Sequence, residues 1–600
     1  MAVAAERDDD LSASLGHLPE WRLEDLYAGP DAPALKADMD KAEAAAAQFE
    51  SAHAGKIATL DGAALGGAVA EYERIDEVLS RVASYAQLVH SGDMSDPEVG
   101  RFYQSVIERV TDISTRLLFF TLELNRIEEA DLAEKLKAPE LARYAAWLRD
   151  LRVFRDHQLS DELEKLLHEK EVAGRAAWNR LFDETLAGMR FPFKGKELTV
   201  TQILEKLTSR KTEERREAAK SLGATLRGQG RLFALVTNTL AKEKEIEDRW
   251  RRYPAPVSAR NRANQIEDEV VAALTETVRA HYPLLSHRYY ALKAKWFGVD
   301  KLDYWDRNAP LPNDADRLIP WTEARETVLT AYAGFDARMA DIGRRFFDEG
   351  WIDAPARAGK ASGAFAHPVV PSAHPYILLN YQGRARDVMT LAHELGHGVH
   401  QVLAGAQGHL QSGTPLTLAE TASVFGEMLT FQAMLKGQTD PAKRKAMLAS
   451  KVEDMLNTVV RQIAFHFFET RVHAARREGE LTPEKISDIW MDIQRESLGP
   501  ALRFDDDYRY YWAYIPHFIH SPFYVYAYAF GDCLVNSLYA VYREAETGFA
   551  ERYLDMLKAG GTLRHKELLA PFGLNAADPD FWAKGLSMIA GMIDELEAME

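Results

Sequence analysis

The sequence predicts a mainly α-helical fold of many helices with one small β-sheet. From about residue 10 to residue 193, apolar residues recur at helical spacing and internal glycines and prolines are few. Helical spacing resumes after each later break, and the clearest strand candidates are short: residues 362–365 and 376–380. With 46% hydrophobic residues among 600, the chain has enough apolar material for sizeable cores.

A break in the helical pattern marks the predicted domain boundary. Residues 191–196 read Phe-Pro-Phe-Lys-Gly-Lys, and helical spacing begins again at about residue 209. We place the boundary near residue 200, with an N-terminal helical lobe over residues 1–200 and a second domain over residues 201–600. Residues 161–181 are predicted to form one surface helix whose apolar face meets a core. The apolar positions of that helix are Leu163, Leu166, Leu167, Val172 and Leu181.

Composition argues against several kinds of partner. The 91 acidic and 73 basic residues give a net charge of -18, which repels nucleic acid. The single cysteine, Cys533, cannot form an intramolecular disulfide, and residues 1–10 lack the features of a secretory signal. We therefore expect a cytoplasmic location and no role for Cys533 beyond packing.

Residues 361–383 and 510–531 are uncharged but rich in proline and histidine. We therefore expect them to form buried walls of a functional site and not to span a membrane.

The residues that carry chemistry are His-Glu-Leu-Gly-His at 393–397, inside a helix predicted over residues 387–403. At about 100° per residue, His393 and His397 lie about 40° apart on one helix face, so both imidazoles can bind one metal ion. Glu394 lies beside that face, where it can take a proton from metal-bound water. Two neutral imidazoles plus a carboxylate suit zinc, which makes hydrolysis the expected chemistry.

A third ligand is expected from a neighbouring element. Glu420 and Glu427 are seven residues apart and share one face of the next predicted helix, so either could reach the zinc. However, Thr417 and Glu420 have the spacing of a capping box, in which the glutamate would bond a backbone N–H group. Spacing alone leaves these two interpretations about equal.

The motifs resemble those of a known family. His-Glu-Leu-Gly-His-Gly-Val-His at 393–400 and Leu-Ala-Glu-Thr-Ala-Ser-Val-Phe-Gly-Glu at 418–427 are similar to the thimet-type M3 metallopeptidases, and most similar to their oligoendopeptidase F group. The resemblance extends upstream to residues 362–380 and downstream to residues 515–528, and covers most of the chain from about residue 100. It implies a two-lobed, multi-helical peptidase with the small sheet beside the motif helix and with residues 201–600 as the catalytic domain.

The resemblance also implies roles for individual residues. It implies that His393, His397 and Glu420 bind one zinc ion and that Glu394 is the general base. Glu427 is then expected to orient a ligand histidine through its free ring N–H, and His400 is given a similar supporting role. A helix-face histidine satisfied by ordinary hydrogen bonds is an equal alternative for His400.

The expected substrates are short oligopeptides, since the resemblance implies a deep channel that excludes folded proteins. It further implies that a histidine and tyrosines from residues 510–531 donate to the oxyanion formed at the scissile carbonyl. The best correspondences are His517, Tyr524 and Tyr528, with Tyr526 or His520 as alternatives. Most tyrosines of this segment are expected to be packing residues.

Other interpretations stay open at this point. The predicted strands could offer an edge to which an extended peptide adds, or could form a covering hairpin without substrate contact. Glu394 and His397 also form an E-x-x-H pair, and Glu50 and His53 form another, as in a ferritin-like di-iron protein. A helical scaffold with a non-catalytic zinc site is the third possibility, against which the intact Glu394 counts.

Overall fold

The computed structural model describes residues 14–311, 318–544 and 547–600. The chain is 71% helix and 4% strand, which confirms the predicted mainly α fold with small sheets. No helix in the described part of the chain combines the length and the apolarity that a membrane span needs. Residues 1–10, for which we predict no secretory signal, lie outside the described residues.

The first of two compact units consists of Met1–Val153, Asp316–Gly437 and Ala545–Phe572. A buried cluster that includes Phe49, Leu65 and Phe120 joins its N-terminal helices. The α-helices of this unit are α1 (Pro33–His53), α2 (Gly62–Gly92), α3 (Pro97–Arg126), α4 (Glu129–Lys135), α5 (Pro139–Ala142), α6 (Ala145–Leu151), α15 (Trp321–Phe335), α16 (Ala337–Asp348), α17 (Ala385–Ala404), α18 (Leu416–Gly437), α24 (Phe549–Lys558) and α25 (His565–Leu569).

The second unit consists of Phe154–Ala315, Gln438–Glu544 and Gly573–Glu600. Its core includes the large side chains of Phe182, Phe468 and Trp490. Its α-helices are α7 (Asp161–Glu171), α8 (Arg175–Gly188), α9 (Val200–Lys206), α10 (Thr212–Gly228), α11 (Gly230–Trp250), α12 (Ser258–Ala263), α13 (Asp268–His281), α14 (Ser286–Trp296), α19 (Pro441–Thr458), α20 (Val460–Glu478), α21 (Pro483–Leu498), α22 (His517–His520), α23 (Tyr526–Glu544) and α26 (Pro579–Ala598).

The second unit also contains two short strand pairs. Strands β1 (Phe191–Phe193) and β2 (Lys196–Leu198) are antiparallel, and β3 (Leu302–Asp303) pairs in parallel with β7 (Leu502–Arg503). Lys194 and Gly195 both have positive φ, as a two-residue hairpin turn requires. The break predicted at residues 191–196 is therefore a hairpin. The units follow spatial contact rather than chain order, so the division near residue 200 stays a prediction.

A three-stranded sheet lies in the first unit, with strand order β4 (Ile352–Pro355), β6 (Tyr376–Tyr381) and β5 (Phe365–His367). The strand predicted over residues 376–380 is confirmed as β6. The strand predicted over residues 362–365 is wrong in its extent, because Gly363 has a φ of 84° within a bend and β5 begins only at Phe365. β6 has a neighbour on each side, so β5 is an edge strand.

The single helix predicted over residues 161–181 is wrong. The chain breaks between α7 and α8, where Gly174 precedes Arg175 with a φ of -102° and a ψ of -117°. Several of the predicted core-facing side chains are exposed instead, with 51% of Leu166 and 78% of Val172 accessible. Apolar residues at helical spacing indicate that a helix has an apolar face, but they do not indicate whether another element packs against that face.

Candidate active site

Helix α17 forms where the sequence predicts it and carries the H-E-x-x-H motif. The carboxylate of Asp387 accepts backbone N–H groups of Gln382 and Arg384 at 2.9 and 3.0 Å, which satisfies donors at the helix start. Buried Leu391, Leu395 and Val399 form its apolar face. This packing fixes the helix and leaves His393 and His397 on a different, partly accessible face.

Helix α18 brings Glu420 to the two histidines because α17 has a glycine, with no side chain, where the two helices are in contact. At Gly396, a Cβ atom would lie 2.4 Å from the carbonyl oxygen of Ala422 and 2.6 Å from the Cα atom of Ser423. Only glycine permits so close an approach of the two backbones. The glycine inside the motif therefore sets the distance between the helix that holds the histidines and the helix that holds the glutamate.

The ligand atoms of His393, His397 and Glu420 all lie within 4.8 Å of one another. Glu420 Oε2 is 3.3 Å from Nε2 of His393 and 3.5 Å from Nε2 of His397. Metal–ligand bonds of about 2.0–2.1 Å at tetrahedral angles place neighbouring ligand atoms about 3.3 Å apart, so these spacings fit zinc. The two imidazoles and one carboxylate supply three of the four ligands that zinc takes, which is the number typical of a catalytic site. Within the described ranges this is the one such cluster.

Glu420 faces the histidines and does not cap its helix. Helix α18 begins at Leu416, so Thr417 lies inside the helix rather than before it. The hydroxyl of Ser423 donates to Glu420 Oε2 at 2.7 Å and orients the carboxylate. Burial raises the pKa of Glu420, but the two neighbouring histidines outweigh burial and hold that pKa well below its usual range.

Glu394 has the environment of a proton acceptor that can also return its proton. The residue is 7% exposed, and burial raises the pKa of its carboxyl group, although the nearby histidines oppose this effect. The backbone N–H of Ala366 in β5 is close enough to favour the ionised form. The small sheet therefore lies beside Glu394.

The two supporting residues have different surroundings. Glu427 Oε2 is 3.3 Å from Nδ1 of His393, on the side of the ring that faces away from Glu420. Burial lowers the pKa of His393, but the carboxylates of Glu420 and Glu427 outweigh burial and raise it to about 10. His400 is buried, with a pKa lowered to about 4 by burial, and its ring lies 3.3 Å from Thr414 Oγ1. Its contacts are thus with the chain near the start of α18.

His517, Tyr524 and Tyr528 form one cluster in the second unit. The hydroxyl of Tyr528 lies 3.3 Å from Nε2 of His517. The ring centroid of Tyr524 is 6.2 Å from that of His517 and 5.2 Å from that of Tyr528. Tyr528 is 37% exposed although its neighbours Ala527 and Ala529 are buried.

The alternatives considered for this cluster lie elsewhere. Tyr526 is fully buried, and its hydroxyl accepts a hydrogen bond from Asn264 at 2.8 Å. His520 pairs with Asp183 at 2.8 Å. In the first unit, the second E-x-x-H pair does not join a metal cluster, because Glu50 pairs with Arg116 and His53 lies 3.6 Å from Glu71.

Two residues of the site were not predicted from the sequence. Ser423 orients Glu420, and its spacing of three residues on the same helix is a signal that could have identified it. The hydroxyl of Tyr332 donates at 2.6 Å to the carbonyl of Ala392, directly before His393. Tyr332 is 60 residues away and has no local signal.

Two family models and several known proteins match this chain. The sequence model of peptidase family M3 matches residues 206–588, and the model described as Oligopeptidase F matches residues 123–191. The chain is 28% identical over 595 residues to oligopeptidase PepF of Bacillus subtilis, covering 96% of this chain and 87% of that protein. It is 28% identical over 530 residues to group B oligopeptidase PepB of Streptococcus agalactiae, covering 86% and 87%.

Solved structures show the same fold. A protein of Chlamydophila abortus matches with a TM-score of 0.85 and 25% identity, covering 97% of this chain and 98% of that chain. Oligoendopeptidase-F of Enterococcus faecium matches with a TM-score of 0.68 and 22% identity, covering 94% and 99%.

Proposed function

The chain belongs to peptidase family M3 and is a metallopeptidase, and from this premise we propose that it is a zinc-dependent endopeptidase that hydrolyses short oligopeptides rather than folded proteins. The observation that carries the proposal is the triangle of ligand atoms from His393, His397 and Glu420, with the carboxyl group of Glu394 beside it. The relatives named oligopeptidase PepF and oligoendopeptidase-F support short peptides as the substrate class.

Glu394 is the proposed general base and acid. A zinc ion held by His393, His397 and Glu420 would lower the pKa of a bound water to about 7 and polarise the scissile carbonyl. Glu394 takes one proton from the attacking water as the new C–O bond forms. It then gives that proton to the amine nitrogen as the C–N bond breaks. Its buried position and raised pKa suit a group that must hold the proton between these steps.

We propose that His517, Tyr524 and Tyr528 donate hydrogen bonds to the oxyanion of the tetrahedral intermediate. Their mutual contacts and the partial exposure of the Tyr528 residue support this role. Glu427 orients His393, and this role is supported by its 3.3 Å contact with the ring nitrogen opposite the ligand nitrogen.

An extended peptide is proposed to add as a strand along β5. Within the described residues this strand is paired with no strand but β6, and at Ala366 its backbone bonds two side chains of α17, Glu394 and Gln401. A cytoplasmic location is also proposed, supported by a single cysteine that is fully buried. The two family matches end and begin at residues 191 and 206, which supports a domain boundary near residue 200.

The test is hydrolysis of a quenched fluorescent library of peptides of about 5–20 residues, with the zinc content of each variant measured in parallel. Glu394→Gln should retain zinc and lose most of its turnover, because it removes the base and no ligand. Glu326→Gln, at an exposed position of α15, is the matched control and should behave as the wild type.

Each result decides a different part of the proposal. If the native chain binds zinc and cleaves no peptide, the non-catalytic scaffold is the correct interpretation. Bound iron in place of zinc would contradict the metal assignment. Cleavage of folded proteins at rates similar to those of short peptides would contradict the proposed substrate class.

A further inference from the structure

The turn that connects α22 to α23 has a strained backbone directly before Tyr524. Phe523 has a φ of 60°, although it is a bulky residue and is only 1% exposed. This left-handed conformation costs a non-glycine residue about 1 kcal/mol or more, and such strain is concentrated at functional sites. The turn also fixes the start of α23, which carries Tyr528.

Two side chains distant in sequence hold this turn. Glu469, on α20, is 2% exposed, and its Oε1 accepts the backbone N–H of Phe523 at 2.8 Å. Arg260, on α12, donates from Nε to the carbonyl of Pro522 at 3.3 Å, and its guanidinium lies 5.6 Å from the centroid of the Tyr524 ring. Both bonds go to the one peptide group that joins Pro522 to Phe523: Glu469 accepts its N–H and Arg260 donates to its carbonyl.

We propose that Glu469 and Arg260 are positioning residues that hold Tyr524 in the orientation in which it donates to the oxyanion. This inference rests on the proposed role of Tyr524 and deepens it. Neither residue touches the substrate; both act through the turn at residues 522–524.

The chemistry of Glu469 favours this role over simple packing. Burying an acid is costly, and burial raises the pKa of Glu469 to about 8. Its Oε2 has no hydrogen-bond partner among the described residues, so the group makes a single hydrogen bond, to the strained turn. An apolar residue would pack at lower cost but would leave the buried N–H of Phe523 without an acceptor.

Glutamine is the conservative replacement for this acid. It keeps the acceptor oxygen that bonds Phe523 and has almost the same volume. Leucine also has similar volume, but it has no acceptor. Glu469→Gln and Glu469→Leu are therefore a matched pair that separates the hydrogen bond from the packing.

The test is a double-mutant cycle on peptide hydrolysis, with Tyr524→Phe, Glu469→Leu and the double variant, and with zinc content and thermal unfolding recorded for each. Loss of an oxyanion donor costs about 100-fold in kcat, and misplacing it by about 1 Å costs up to a similar factor. We expect Tyr524→Phe to lower kcat about 100-fold, and Glu469→Leu about 10-fold or more with KM changed less than about threefold. The double variant should be no slower than Tyr524→Phe alone. Glu469→Gln should restore kcat to within about threefold of wild type.

The outcomes separate this inference from the proposed function. If Tyr524→Phe lowers kcat and Glu469→Leu does not, or if the two losses multiply in the double variant, the positioning role is refuted and the role of Tyr524 stands. If Tyr524→Phe leaves kcat unchanged, both roles are refuted, while Glu394→Gln still tests the hydrolytic mechanism. If Glu469→Leu does not fold, Arg260→Ala replaces it in the same cycle, because Arg260 reaches the turn independently from α12. The same two outcomes then decide the result.

Discussion

The close contact at Gly396 makes a quantitative prediction for Gly396→Ala. The added Cβ would lie 2.4 Å from the Ala422 carbonyl oxygen, about 1 Å inside the 3.4 Å at which ordinary contact begins. Both groups belong to helix backbones, which cannot rotate away as a side chain can. Helices α17 and α18 must therefore separate by a substantial part of that distance.

This separation acts on the metal site as well as on stability. His393 and His397 lie on α17 and Glu420 lies on α18, so the spacings of 3.3 and 3.5 Å would widen beyond what one zinc ion can bridge. We expect a destabilisation of about 1–3 kcal/mol and a zinc affinity lower by at least about tenfold.

Urea unfolding of the zinc-free protein and competition with a chelator measure these two quantities. The control is Gly67→Ala in α2, where an added Cβ meets nothing within 4 Å. It should leave zinc affinity unchanged and stabilise the protein by about 0.5–1 kcal/mol, since alanine is the better helix former. The reasoning is refuted if Gly396→Ala is as stable as Gly67→Ala and binds zinc as tightly as wild type.

Two further predictions concern single carboxyl groups. Glu427→Ala should weaken zinc binding by about 10- to 100-fold, because it removes the partner of His393 Nδ1, whereas Glu427→Gln should retain most of the affinity. Chelator competition measures both affinities. Equal losses in the two variants would contradict the orienting role of Glu427. The pKa of Glu469 is raised to about 8 in the folded protein, so the native state keeps a proton that the unfolded state releases above about pH 4.5. The free energy of unfolding should therefore fall as the pH rises from about 4.5 to about 8, by up to about 4–5 kcal/mol from this group. Glu469→Gln should remove this part of the pH dependence. The free energy of unfolding of the variant minus that of the wild type should then rise by several kcal/mol between pH 5 and pH 8.5. If this difference does not change with pH, Glu469 is not protonated in the native state.

The part of the site that could be predicted depends on local spacing. The helix predicted over residues 387–403 is observed at Ala385–Ala404, because its buried apolar residues and its paired histidines follow one helical period. The third ligand was undecided at the level of spacing, since a cap and a metal ligand use the same side chain. The choice depends on where α18 begins and on the contact at Gly396, and both are set by packing between helices.

The tyrosines show why the rest of the site could not be derived in this way. Tyr524, Tyr526 and Tyr528 occupy every second position of the chain. Nothing in this spacing distinguishes a tyrosine that packs in the core from one that can contact a substrate. Tyr526 is separated from the others by a hydrogen bond from Asn264, 262 residues earlier in the chain. The strained turn at Phe523 is likewise bonded from far along the chain, since Glu469, 54 residues away, accepts its N–H. Long-range contacts of this kind decide which way a short segment faces, so a local motif can identify the metal centre while the orientation of the substrate-binding residues depends on the whole fold.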